Sequence, residues 1–321
     1  MAPGRLNPFL APPQTRPRPM IVGHRGVPTL HQENTLSGFR RAIALGVPAV
    51  ELDVRLTKDR KLVVFHDSDV SRMTGRPGVV AQMSWDQVAK LRIRRDVPMG
   101  INPNGTQVMA RYEKEERIPL LAEVLSEITP KAAVNIELKL DMARWWRVDV
   151  AGATAKVISD LGVEDRVMVT SFDPRKLLAA GRASKSIALG FCFDDGMFNF
   201  VGPLLDRLER AAITDDGDQR PFQNARRLLS RLVQSNWVGR FLRTHAIGAE
   251  HTLVDRDTVE GLHAQGVPLG VHTIFPIGST TGKAIPQTSS SKAEVERLCE
   301  IGVDWIETDD PERLQQLVAE I

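Results

Sequence analysis

Short apolar, β-branched runs alternate with helical patterns along most of the chain, and that alternation limits the fold more than any other feature. Met20 to His24 precedes a helix from Thr35 to Leu45, with Asn34 or Thr35 as its N-cap and Gly46 just past its end. Ala49 to Leu56 and Leu62 to His66 read as two strands around a turn at Lys58-Asp59-Arg60. Val134 to Leu138 leads to a helix near Val148 to Leu161, and Val167 to Ser171 to one opened by Asp173-Pro174. Ile187 to Phe193, Ala246 to Glu250, Pro268 to Ile274 and Asp304 to Thr308 finish the strands, and Asp310-Pro311 opens a closing helix from Glu312 to Ile321. Apolar strands separated by helices require a parallel sheet with both faces covered. About eight such units predict an α/β chain closed into a (β/α)₈ TIM barrel. An open doubly wound sheet is the alternative, but the chain carries neither a Gly-rich dinucleotide loop nor a P-loop.

The chain has 321 residues, and at roughly 150 residues per domain that length suggests two domains. A barrel of about 250 residues with insertions uses the length better. The expected organisation is therefore a proline-rich extension over 1–19 and one barrel over 20–321, with insertions near 94–117 and 194–244. Forty-two basic side chains against 40 acidic ones give a formal charge of +2, too little for a whole-protein field that attracts nucleic acid. The two cysteines, Cys192 and Cys299, make no disulfide framework and no zinc spacing. Six prolines break the first 20 residues, so no signal-peptide apolar core forms there, and no 18-residue apolar run follows. A cytoplasmic location is expected, with oligomeric state left open.

Polar residues interrupt the strands in a pattern. In Ala49 to Leu56, Val50, Leu52, Val54 and Leu56 share one face while Glu51, Asp53 and Arg55 share the other. A solvated face would be the ordinary reading of such a strand. In a parallel barrel both faces are covered, so the two carboxylates point inward, about 7 Å apart, and need a proton or a cation. A hard divalent metal with oxygen ligands meets that need. Glu137 and Lys139 repeat the theme on the strand Val134 to Leu138, although Lys139 could equally be a plain ion-pair partner of Glu137. His24 and His66 each end a strand, where barrel active sites lie. Imidazoles titrate near neutrality, so one can deprotonate a hydroxyl while the other protonates a leaving group. Arg25 and Lys139 are cationic donors suited to phosphate oxygens. The set points to phosphodiester chemistry, and a barrel kept only as a binding or scaffold protein would have no use for all of it.

These residues lie in motifs that resemble the glycerophosphodiester phosphodiesterase family: Gly23-His24-Arg25-Gly26, Glu33-Asn34-Thr35, Glu51-Leu52-Asp53-Val54 and His66-Asp67 with Arg72, Thr74 and Gly75. The match continues through Ile118-Pro119-Leu120, Glu137-Leu138-Lys139, Ser171-Phe172, Gly302-Val303-Asp304 and Thr308-Asp309. The resemblance implies a TIM-type barrel that hydrolyses glycerophosphodiesters to glycerol 3-phosphate and an alcohol, using Mg²⁺ or Ca²⁺. It implies Glu51, Asp53 and Glu137 as metal ligands, His24 and His66 as acid and base, and Arg25 and Lys139 as phosphate contacts. Two positions depart from the family pattern. Gln32 stands where Pro usually precedes Glu-Asn-Thr, and His272 stands where a Trp is usual. His272 either adds a polar contact to the substrate pocket or is structural, and a lysophospholipase D-like activity on lysophospholipids is the alternative function.

The two inserted stretches differ in character. Arg94 to Arg117 joins polar turns to the charged run Lys114 to Arg117, as a lid or a solvated surface loop. From Arg220 to Arg243 there are six arginines and no acidic residue, interleaved with Leu228, Leu229, Leu232, Val233, Trp237, Phe241 and Leu242. Such a basic amphipathic segment, 220–243, suits peripheral contact with an anionic membrane surface. It also suits an ordinary barrel helix whose arginines are solvated or paired with Asp215, Asp216 and Asp218.

Overall fold

A strand whose two faces are both apolar must be covered on both sides, and in this chain the strands achieve that by closing on themselves. The computed structural model describes residues 7–12, 17–102, 104–139, 148–194, 231–279, 285 and 287–321. The barrel strands are β1 (Met20–Gly23), β2 (Ala49–Leu56), β6 (Ala133–Leu138), β7 (Val167–Ser171), β8 (Ala188–Phe193), β9 (Ala246–Glu250), β10 (Leu269–Ile274) and β11 (Trp305–Thr308). They pair in parallel in the order β1-β11-β10-β9-β8-β7-β6-β2, and β1 pairs with β2 to close the ring. The result is a closed eight-stranded parallel barrel with helices outside it, the expected TIM architecture. Around it run α1 (Leu36–Ala44), α4 (Leu121–Ile128), α5 (Asp149–Leu161), α6 (Pro174–Ala183), α7 (Trp237–Leu242), α8 (Arg256–His263), α9 (Lys292–Ile301) and α10 (Pro311–Glu320). Short turns α2 (Ser71–Thr74) and α3 (Trp85–Val88) lie between β2 and β6.

The outward faces of the strands, among them Val50, Leu52, Val54 and Ile136, pack under the helices in one large apolar core. Thr35 rather than Asn34 caps α1, its Oγ1 accepting the Gly38 N–H at 3.2 Å. Inside the barrel the side chains stack in layers. The floor is small and apolar: Ala49, Ala133, Ala188 and Ala246 surround Met168 and Trp305. Phe9, from the proline-rich extension, closes it from below with its ring edge-on to Trp305 at 5.6 Å, and Asn7 Nδ2 donates to the Val167 carbonyl at 2.8 Å. The extension is thus a plug over the N-terminal end of the barrel in its described part.

Between β2 and β6 the chain departs from the βα repeat, and here one reading of the sequence needs correcting. Leu62 to His66 is not a barrel strand. Its strand is only β3 (Leu62–Val64), antiparallel to β2 as a hairpin, and His66 sits two residues beyond it. Within 94–117, read as a lid or a solvated surface loop, β4 (Asp96–Ile101) and β5 (Gln107–Arg111) form an antiparallel pair that the sequence reading did not include. Val63, Phe65, Met73, Val97, Met99 and Tyr112 give this excursion its own small core. Tyr112 Oη donates to the Pro28 carbonyl at 2.7 Å, and Ile101 bridges to Ser279, so the hairpin is fastened to the rim of the barrel. Gln32 also serves this join: its buried amide donates to the carbonyls of Lys114, at 2.6 Å, and Arg94, at 3.3 Å. Of the second stretch, 195–230 lies outside the described residues. Among the described residues no helix is long and apolar enough to cross a membrane.

The floor predicts a sensitive position. A Cβ on Gly270 would lie 1.8 Å from Cε2 of the Trp305 indole, so a side chain there and the indole cannot both keep their places. Gly270→Ala is expected to cost about 1–3 kcal/mol of stability by overpacking. A thermal-unfolding midpoint unchanged from wild type would rule out the packing described for this layer.

Candidate active site

The mouth of the barrel owes its polarity to the same alternation that makes its floor apolar. Glu51 and Asp53 follow Ala49 on the inward face of β2, Asn135 and Glu137 follow Ala133 on β6, and Glu307 follows Trp305 on β11. A cavity of about 220 Å³ opens above the floor. His24, Arg25, Glu51, His66, Glu137, Lys139 and His272 line it, and Asp53 lies buried against two of them, Arg25 and Lys139. The structure therefore brings every site residue expected from the sequence into one place, including His66, which arrives from the excursion rather than from a barrel strand. Arg55, which shares the inward parity of β2, is not among the cavity residues and donates instead to the His66 carbonyl at 2.7 Å.

One ligand atom from each of Glu51, Asp53 and Glu137 falls within 4.8 Å of the others, a spacing that could hold a metal ion. Two cations reach into this cluster. Lys139 Nζ lies 2.9 Å from Glu137 and 3.3 Å from Asp53, and Arg25 Nε lies 3.2 Å from Asp53. Burial raises a carboxyl pKa, but Lys139 and Arg25 outweigh it at Asp53 and hold that group well below the usual carboxylate range. Glu51 goes the other way: burial, then repulsion by Asp53, Glu307 and Glu137, pushes it well above its ordinary value. Glu51 Oε1 and Asp53 Oδ1 are buried without a hydrogen-bond partner. A buried, converging, oxygen-only set with unsatisfied lone pairs fits a hard dication better than it fits protons or apolar packing.

The loop after β1 is shaped to this cluster. Gly26 has φ +94° and Arg25 φ +53°, a turn that aims the Arg25 main-chain N–H at Glu51 Oε2, 3.0 Å away. Such a left-handed conformation costs an L-residue about 1–2 kcal/mol, offset here by a charge-assisted hydrogen bond. Asn34 tolerates φ +60° and clamps Asp53 from both sides, donating to Oδ2 at 2.7 Å and accepting the Asp53 N–H at 3.1 Å.

Both histidines are held through Nδ1 by an aspartate. His24 Nδ1 lies 2.6 Å from Asp309 Oδ1, with Nε2 3.8 Å from Glu51. His66 Nδ1 lies 2.6 Å from Asp67 Oδ1. Arg72 joins Asp67 to Glu33, at 2.5 and 2.6 Å, and Glu33 in turn meets Arg25 at 3.3 Å. Burial, aided by Arg25 and Lys139, lowers the His66 pKa to about 4, so its ring is neutral at physiological pH. His272 Nε2 donates to the Phe193 carbonyl at 3.2 Å, and its ring stands edge-on to Phe172 at 5.9 Å, forming a wall of the cavity.

Several cavity residues carry no signal of their own in the sequence. Glu307 accepts from Asn135 Nδ2 at 2.8 Å, and Asn135 accepts from Thr170 at 2.9 Å, making a buried polar layer between floor and mouth. The available clue was parity: Asn135 lies two residues from Glu137, and Glu307 two from Trp305. Asp309 and Asp67 were visible as motif residues, but not their grip on the histidines.

The model of the glycerophosphoryl diester phosphodiesterase family matches residues 24–313. A glycerophosphodiester phosphodiesterase of Caldanaerobacter subterraneus subsp. tengcongensis is 28% identical over 300 residues, 93% of this chain and 97% of that one. A lysophospholipase D of Mus musculus is 34% identical over 121 residues, 37% of this chain and 36% of its own. The structure of an Oleispira antarctica phosphodiesterase in complex with the product sn-glycerol-3-phosphate superposes with a TM-score of 0.64, at 20% identity, over 94% of this chain and 97% of that one. With its barrel, its cavity and a match from the first histidine to the last helix, the chain belongs to the glycerophosphoryl diester phosphodiesterase family.

Proposed function

We propose that this glycerophosphodiester phosphodiesterase works by metal-assisted acid–base catalysis, with Glu51, Asp53 and Glu137 holding one divalent cation, Mg²⁺ or Ca²⁺. The observation that carries the reading is the convergence of those carboxylates with two aspartate-held histidines and two cations on one small cavity. Charge supports it. With all three carboxylates ionised against Arg25 and Lys139, the cluster carries one negative charge, which would repel a phosphodiester monoanion. A dication changes that to one positive charge. When bound, it supplies Lewis-acid neutralisation of the phosphoryl oxygens.

Arg25 and Lys139 lie at the edge of the same cluster and orient the phosphate by charge-assisted hydrogen bonds. Asp67 fixes His66 with Nδ1 as the donor, which leaves Nε2 as an acceptor, and burial keeps the ring neutral. His66 is the base that takes the proton of the attacking hydroxyl. His24, held by Asp309, is the acid that gives a proton to the leaving alcohol oxygen. In this sequence the glycerol 2-hydroxyl attacks phosphorus and the bond from phosphorus to the alcohol oxygen breaks. The two histidines then exchange roles as water opens the cyclic diester to glycerol 3-phosphate.

His272 and Phe172 supply one wall of the substrate pocket. A second reading, with a lysophospholipid as substrate, is favoured by the apolar side of the cavity, where Pro28, Met99, Ile274, Pro276 and Ile285 could take the start of an acyl chain. On either reading residues 20–321 form one barrel, with 94–117 and 194–244 inserted and 1–19 as an extension.

Release of glycerol 3-phosphate from glycerophosphocholine is expected to fall to background with a chelator and to return with Mg²⁺ or Ca²⁺. Turnover that survives the chelator would sink the cation. His24→Ala and His66→Ala are each expected to lower kcat by roughly 10²–10⁴-fold, with KM nearly unchanged. Wild-type kcat in either variant would remove that residue from proton transfer. A base must be unprotonated, so at saturating metal the acid limb of kcat/KM should lie well below 6.5, towards pH 4. A limb at the ordinary imidazole value would contradict a depressed His66. Lysophosphatidylcholine assayed beside glycerophosphocholine separates the two substrate readings.

A further inference from the structure

The described part of the arginine-rich segment, 231–243, has a face that nothing else in the barrel explains. Val233, Asn236, Gly239 and Leu242 recur at intervals of three residues and are buried against the barrel wall. The opposite face carries Trp237 and Phe241, 61% and 67% exposed, the most exposed of the large hydrophobic side chains among the described residues. Their rings stack on each other, with centroids 6.1 Å apart and planes 13° from parallel. Arg231, Arg240 and Arg243 stand exposed around them, with no ion pair to a carboxylate among the described residues. The helix packed alongside, α6, ends near Arg182 and is followed by Lys185, both exposed. On the other side α8 carries Asp257 and Glu260, which bound the basic face there.

Two large rings left in water cost free energy that a solitary surface side chain does not need to incur. Aromatic rings flanked by arginines, with no acidic residue from Arg220 to Arg243, match a surface that is apolar a few ångströms down and negative on top. We propose that Trp237 and Phe241, with Arg231, Arg240 and Arg243, dock this protein peripherally on an anionic phospholipid bilayer. The rings enter the level between headgroup and acyl chain, and the arginines pair with lipid phosphates and carboxylates. Each basic side chain near such a surface adds roughly fivefold to binding at physiological salt.

The topology fixes the consequence for the active site. Helix α7 ends at Leu242 and β9 begins at Ala246, so Phe241 lies near the N-terminal rim of the barrel, whereas the cavity opens at the C-terminal ends of the strands. The docked barrel keeps its mouth off the bilayer. The surface therefore anchors the enzyme near membrane-derived, water-soluble substrate rather than pressing the site onto lipid.

The test is co-sedimentation of the full chain with vesicles of equal parts phosphatidylglycerol and phosphatidylcholine, and with vesicles of phosphatidylcholine alone. Binding is expected only to the anionic vesicles, falling at least about tenfold on raising salt from 0.1 to 0.5 M. Trp237→Ser with Phe241→Ser should weaken it by roughly tenfold or more, and Arg240→Glu with Arg243→Glu should abolish it. All variants should keep the wild-type unfolding midpoint and glycerophosphocholine turnover, and anionic vesicles should leave that turnover within about twofold. No recruitment, equal recruitment by neutral vesicles, or full binding by the double serine variant would each overturn the proposal. So would a wild-type dimer that the double serine variant converts to monomer without lipid, since the face would then belong to a second copy of the chain.

Discussion

Three carboxylates forced into one water-poor space repel one another, and much of the upper barrel is arranged around that repulsion. At an effective dielectric of 20, two unit charges under 5 Å apart cost about 3 to 4 kcal/mol. Lys139 and Arg25 offset it at Asp53 and Glu137, and the amide of Asn34 adds a hydrogen bond to Asp53. Glu51 has no cationic side chain in contact, gaining the Arg25 main-chain N–H, a weaker attraction to the Arg25 charge and a more distant His24. Burial and the repulsion of its neighbours therefore push it well above its ordinary pKa. Removing any one of these groups is not a local deletion, because the others were placed against its charge.

The constraint extends outward as a chain. Asp53 meets Arg25, Arg25 meets Glu33, Glu33 meets Arg72, Arg72 meets Asp67, and Asp67 holds His66. Alternating sign lets each charge be buried beside an opposite one, which is the condition for burying charge at all. The chain crosses from the barrel to the excursion, so it also fixes where the excursion sits. Beneath it, the floor of Ala, Met168 and Trp305 excludes water from below, and Phe9 completes that exclusion.

What could be read from the sequence follows from which features have a period. The alternation in Ala49 to Leu56 has period two, so both the apolar outer face and the inward Glu51 and Asp53 were legible, and the barrel with them. Asn135 and Glu307 follow the same rule, but each stands directly above the apolar floor in a short strand, and only the layer beneath them tells the reader to count inward. The β4–β5 pair was hidden by Pro98 and Gly100, which read as turn residues and in fact sit at an irregularity of the register. Phe9 is one aromatic among prolines, with no pattern to announce a buried partner. His66 was found as a residue but misplaced as an element, because Leu62 to His66 has the composition of a core strand while its pairing is antiparallel.

That misplacement alters the role of the excursion. In a barrel where every site residue came from a strand end, the stretch after β3 could vary freely as a surface loop. Here it delivers His66, and the path from Phe65 to Ile118 has its own apolar core, with Tyr112 and Gln32 binding it to the rim. The position of a proton-transfer group thus depends on packing that lies outside the barrel. Tolerance to change should be distributed accordingly: the exposed tip between β4 and β5, where Asn102 accepts from its own turn, can vary without moving His66. Met73, Val97 and Tyr112 cannot, because they support the segment whose Arg72 and Asp67 aim the ring.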